Sequence, residues 1–172
     1  MRFYLLSLLV LLAVPTALSA QSMTIGHLDS LLRAHATDVE GRPGFWEFSL
    51  GERPVLVITD EGANRMRVFS PIVRDTDLDE EGLRRMLEAN FHSALDAKYC
   101  LHQGFVISVF AHPLRELTDA QFIDALFQVV TLAETYGSTY QSTDLIFGGE
   151  PGQDEQLEEE QPREEEKRVR RS

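Results

Sequence analysis

Apolar positions recur along residues 24–137 in two periods, helical and alternating, and their succession predicts the elements of one domain. Thr24 is placed to cap a first helix, in which Leu28, Leu31, Leu32 and His35 follow at helical spacing. Gly41, Pro43 and Gly44 end that segment. Trp46, Phe48 and Leu50 then alternate with Glu47 and Ser49, the pattern of a half-buried strand. After a turn at Gly51–Pro54, the run Val55–Thr59 is apolar on both faces and predicts a central strand. Asp60–Asn64 supplies hairpin chemistry before a third strand, Arg65–Ile72, in which Met66 and Val68 face away from Arg65 and Arg67.

A second helix is announced by Asp77, with Glu80 three residues later. Leu83, Met86, Leu87, Asn90, Phe91 and Ala94 are expected to share its apolar face. Two strands follow, Ala97–His102 and Phe105–Ala111, joined at Gln103-Gly104. Thr118 and Gln121 form a capping box for a last helix, whose stripe is Phe122, Ile123, Leu126, Val129, Val130 and Ala133. The expected order is αβββαββα. Helices before, within and after hairpin-linked strands predict an α+β fold, an antiparallel sheet with flanking helices.

The ends of the chain read differently. Residues 1–20 carry one charge, Arg2, then the apolar run Leu5–Leu18 and the small residues Ser19 and Ala20, which predicts a secretory signal peptide cleaved between about Ala17 and Met23. The run is too short for a membrane-spanning helix, so no stable membrane insertion is expected after cleavage. Gln21 stands where a lipoprotein would need cysteine. Export to the bacterial periplasm or the extracellular space follows. Residues 148–172 lack aromatics and place acids before bases, ending Lys167-Arg168-Val169-Arg170-Arg171; such a composition predicts a disordered tail. The domain is thus expected over 23–147.

Charge narrows the partners. Of the 172 residues, 21–147 carry 19 Asp/Glu against 10 Lys/Arg, and the net charge of the whole chain is −12. Phosphate binding relies on cationic side chains that release counterions, so no nucleic-acid partner is expected for this acidic protein. With Cys100 as its single cysteine, the domain has no internal disulfide and must be held by its core. The strand pattern around Cys100 predicts burial of its thiol.

Candidate chemistry is sparse. His27, His35, His92, His102 and His112 do not fall at ligand spacing with Cys or carboxylates, and no metal site or cofactor is expected. No nucleophile elbow, phosphate loop or zinc-protease motif occurs, so no catalytic residue is assigned. Cys100 and His102 are two apart on one strand and share a face; a thiol-dependent hydrolase built on them is the enzymatic alternative. Asn90, a polar residue on an apolar stripe, must find hydrogen-bond partners and is expected to bond the chain where helix gives way to strand. Arg65 and Arg67 stand together on one strand face, suited either to a carboxylate or to solvent.

Four segments carry a resemblance: ITDEGANRMRVFSPI (58–72), MLEANFHSALDAKYCL (86–101), FVISVFAHPL (105–114) and LTDAQFIDALFQVVTLAETYG (117–137). Together they resemble the YbjN family, whose fold is similar to that of type III secretion chaperones, over roughly Met23 to Phe147. The resemblance implies a small α+β protein that often dimerises, without enzymatic activity, holding extended segments of partner proteins on apolar patches. YbjN relatives are described as sensory or regulatory. Secretion chaperones act in the cytoplasm, whereas this chain begins with an export segment, so a generic partner-binding role is what carries over. The expectation is an exported non-enzymatic binding module, chaperone-like or regulatory, that recognises a polypeptide and forms a homodimer. A small-molecule sensor with an enclosed pocket is the other alternative.

Overall fold

Every strand pairing is antiparallel, and the strands lie in one six-stranded sheet whose order is β1-β2-β3-β4-β6-β5. The computed structural model describes residues 22–143. The elements are α1 (Ile25–His35), β1 (Thr37–Arg42), β2 (Phe45–Leu50), β3 (Arg53–Asp60), β4 (Arg65–Arg74), a 3-10 turn (Asp75–Asp77), α2 (Glu80–His92), β5 (Lys98–His102), β6 (Phe105–His112) and α3 (Asp119–Glu134). The α+β class and the antiparallel sheet with flanking helices are as expected, with one strand added. The expected signal peptide at 1–20 and tail at 148–172 lie outside the described residues.

The added strand, β1, occupies the segment expected to be only a helix terminator. It pairs with β2 through a register shift between Thr37 and Glu40, and Asp38 in the irregularity has φ 53°. A two-residue link then turns into β2. Just before that link, in β1, Gly41 (φ 104°) is required on two counts, since a Cβ would also sit 2.3 Å from the Phe45 carbonyl oxygen.

Alternation decides what each strand buries. Trp46 and Phe48 of β2, Val55 and Val57 of β3, Met66 and Val68 of β4, and Val106 and Phe110 of β6 point to one side. They join Leu28 and Leu32 of α1, Met86 and Ala89 of α2, and Phe122, Leu126 and Val129 of α3 in one core. All three helices therefore contribute to the same side of the sheet. The caps read from the sequence hold for α1, where Thr24 Oγ1 accepts from the His27 N–H, and for α3, where Thr118 and Gln121 form the full capping box. For α2 the cap is Asp79, whose Oδ1 accepts from the Gly82 N–H at 2.7 Å, and not Asp77, which lies in the preceding 3-10 turn.

Two side-chain amides, one half-buried and one buried, lock the α2–β5 junction. Asn90 Nδ2 donates to the Tyr99 carbonyl at 3.1 Å while its Oδ1 accepts from the Tyr99 N–H at 2.7 Å. Gln128 of α3, 1% exposed, accepts the N–H groups of Asp96 and Ala97, each at 3.1 Å, and donates to Asp124 at 2.6 Å. Asn90 thus performs the junction role expected of it; Gln128 is a second such residue, within a stripe that reads as wholly apolar.

Candidate binding surfaces

The side of the sheet away from the helices carries its own apolar array. The cross-strand register aligns Phe45 with Ile58, Leu56 with Phe69, and Phe69 in turn with Val109. None of these five residues belongs to the core, and all retain exposure, Phe45 reaching 39%. Phe105 extends the array along β6, with the buried Ile107 between it and Val109, and the Arg74 guanidinium lies 5.2 Å over the Phe105 ring. Polar residues rim it: Glu47 faces the array from β2, and Arg65 and Arg67 stand in one row of β4 opposite Asp60 and Ile58. The expectation that Val55–Thr59 is apolar on both faces is met at Leu56 and Ile58, and Phe105, Ile107 and Val109 give β6 the same character.

Both edges of this sheet are blunted against an incoming strand. On β5 the Asn90 amide takes both backbone groups of Tyr99. Lys98 Nζ donates to the carbonyls of Asn90, at 2.5 Å, and Leu95, tying the same edge to the end of α2, and burial pushes the Lys98 pKa down. On β1 the register shift bends the strand, and Arg33 takes the Val39 carbonyl at 3.3 Å. A segment bound by this sheet is therefore better received on its face than at its rims.

A second apolar surface lies on α2. The sequence places Leu83, Met86, Leu87, Asn90, Phe91 and Ala94 on one face, but the structure divides them. Met86 is 3% exposed, whereas Leu83, Leu87 and Phe91, spaced four apart, stand out at 38%, 62% and 73%. They line a shallow groove of about 530 Å³ with Glu80, Arg84, Glu88 and His92.

Cys100 corrects the sequence reading. Its side chain is exposed, because it projects from the edge strand β5 onto the helix-free side of the sheet, opposite Ile107. Partial desolvation by its neighbours pushes the thiol pKa up, with Arg67 opposing. His102 shares its face, and its ring lies edge-on to Phe69, 6.2 Å between centroids. A raised thiol pKa is the reverse of what an activated nucleophile needs. Labelling of Cys100 by a small maleimide should therefore be slow at neutral pH and climb through the thiol's ordinary range without an early plateau. Fast labelling that is already saturated at neutral pH would restore the thiol-enzyme alternative.

The histidines are dispersed. His27 Nε2 meets Asp119 Oδ1 at 2.8 Å, joining α1 to the start of α3, and His112 stacks on Phe110. Among the described residues, no three of His, Cys, Asp or Glu gather as a metal site would require. A depression of about 220 Å³ lined by Asp96, Phe110, Ala111, His112, Gln121 and Asp124 is smaller than the roughly 300–1,000 Å³ of ordinary small-molecule pockets. Among the described residues no helix is long and apolar enough to cross a membrane.

No protein-family model and no curated protein matches the chain. Solved structures do. A chain in the structure of the ExsC–ExsE complex superimposes with a TM-score of 0.52 at 16% identity, over 74% of this chain and 99% of that one. The Yersinia pestis type III secretion chaperone SycH, solved in complex with a stable fragment of YscM2, superimposes with a TM-score of 0.52 at 14% identity, over 66% of this chain and all of that one. The domain therefore has a fold like that of type III secretion chaperones.

Proposed function

We propose that this protein is a non-enzymatic, chaperone-like binding module that holds an extended polypeptide segment across the helix-free face of its sheet. The observation that carries this reading is the array of Phe45, Leu56, Ile58, Phe69 and Val109, apolar and half-exposed, outside the core of a sheet whose edges are both blunted. Contiguous exposed apolar surface is the usual mark of an interaction site. The likeness to a secretion chaperone solved with a fragment of another protein supports a polypeptide as the partner class. Arg65 and Arg67 beside the array favour a segment whose apolar residues are flanked by acids.

The same face gives a second copy a matching apolar surface when no partner is bound, so the reading includes a weak homodimer. Membership of the YbjN family is part of this proposal and rests on the four segments quoted above. Export is part of it too, and rests on the apolar run Leu5–Leu18; mass spectrometry of the mature protein should find a start near Gln21, and recovery of intact Met1 from the exported fraction would refute it.

The test is an array of synthetic peptides of about 12 residues, alternating apolar side chains between acidic flanks, probed with the wild-type protein and with Ile58→Glu. Ile58 lies outside the core, so the variant should fold. Binding should fall at least tenfold in Ile58→Glu and be weak for scrambled peptides. Equal binding by both proteins would place recognition elsewhere.

A further inference from the structure

The last described residues lie against the C-terminal end of α2. The Ser142 N–H donates to the Ser93 carbonyl at 3.1 Å, and Ser93 Oγ donates to the Tyr140 carbonyl at 2.7 Å. The described chain therefore ends beside the end of α2 where the apolar stripe is most exposed, at Phe91. The chain continues Asp144-Leu145-Ile146-Phe147, three large apolar residues in succession, and then Gly148-Gly149 and a stretch dominated by acids. An apolar tripeptide thus follows in sequence directly after the point where the described chain reaches an apolar groove that the core does not use.

We propose that Leu145–Phe147 docks along α2 and covers the stripe of Phe91, Leu87 and Leu83, so that the groove is filled by the protein's own chain. The lengths agree. An extended chain advances at most about 3.4 Å per residue, which carries Leu145 about 10 Å and Phe147 about 17 Å beyond Ser142. The helix rises about 1.5 Å per residue, which puts Leu87 about 9 Å and Leu83 about 15 Å back from Ser93. Leu145 thereby falls at Leu87 and Phe147 at Leu83. Gly148-Gly149 then lets the chain leave before its acids meet Asp79, Glu80 and Glu81 at the start of the helix.

Size favours this occupant over a second copy. A stable protein–protein interface takes roughly 800 Å² and 20–30 residues from each partner, whereas the groove is seven residues long in its lining and shallow. A segment tethered two residues away needs no such area, because a short flexible link holds it at an effective concentration of about millimolar. The proposal is independent of partner binding on the sheet face.

Cysteine pairing in the full mature chain tests it. In a Cys100→Ser background, Leu87→Cys combined with Leu145→Cys should form an intrachain disulfide under mild oxidation, at a rate independent of protein concentration. The rate should exceed by at least tenfold that of Leu87→Cys combined with Gln156→Cys, a position beyond the proposed strap. Leu87 and Cys100 lie outside the core, and circular dichroism checks that each variant folds. Pairing at Leu145 no faster than at Gln156, or Leu87→Cys crosslinking chiefly between chains at a concentration-dependent rate, would overturn the proposal.

Discussion

Trp46→Ala should lower the free energy of unfolding by about 3–5 kcal/mol, the range for deleting a large aromatic side chain from a packed core. Trp46 is fully buried near the start of β2, between its partners Gly41 of β1 and Val57 of β3. Most domains have only about 5–15 kcal/mol of stability, so this one change removes a large share. Trp46 also has a polar role. Its Nε1–H donates to Asp29 Oδ1 at 2.7 Å, and Asp29 accepts from Arg33 Nε at 3.1 Å as well, fixing α1 to the sheet. These bonds, that to Arg33 first and that to Trp46 second, hold the Asp29 carboxyl below the usual aspartate range.

A carboxyl with a depressed folded pKa contributes stability that is present above its unfolded value, about 3.9, and lost as pH falls through the folded value. Trp46→Phe keeps most of the volume and removes the indole bond. Its deficit relative to wild type should therefore be measurable at neutral pH and shrink on acidification below about pH 4. Urea denaturation across that range checks both parts; a Trp46→Ala loss under about 1 kcal/mol would mean that the core does not depend on this residue.

Gln128→Leu should cost about 2–4 kcal/mol, although it exchanges a polar side chain for an apolar one of similar size in the interior. Its Oε1 is the partner of the Asp96 and Ala97 N–H groups, and Ala97 is fully buried. Each buried donor left without a partner costs about 1–3 kcal/mol. Asp124→Ala, which removes only the carboxylate bonded to the Gln128 amide, should cost about 0.5–1.5 kcal/mol. If Gln128→Leu were neutral or stabilising in thermal unfolding, the amide would not be what holds the turn into β5.

These residues also mark where the sequence is and is not informative. Trp46 and Phe48 could be placed inside because β2 alternates strictly, and α3 because its stripe and capping box agree. β1 has no such pattern. As an edge strand it exposes nearly every side chain, Val39 alone packing partly on the core, so Thr37–Arg42 reads as a polar connector. Alternation around Cys100 correctly puts Tyr99 on one side and Cys100 on the other, but it does not say whether a layer covers the second side; here none of the helices does. The same limit applies to α2, where helical spacing gathers Leu83, Met86 and Phe91 but leaves the width of the contact with the sheet undetermined. Gln128 had a legible signal, a polar residue amid Leu126, Val129 and Val130, of the kind that made Asn90 noticeable.

The central claim is that the helix-free face of the sheet receives a polypeptide. A photo-crosslinking side chain placed at Ile58 or Phe69, with the acid-flanked apolar peptides as probe, tests it most directly; Phe127, 59% exposed on α3 and so away from the helix-free face, is the control position. The account predicts saturable crosslinks from Ile58 and Phe69 that unlabelled peptide competes away, and only background from Phe127. Crosslinking no stronger from the sheet face than from Phe127 would contradict it.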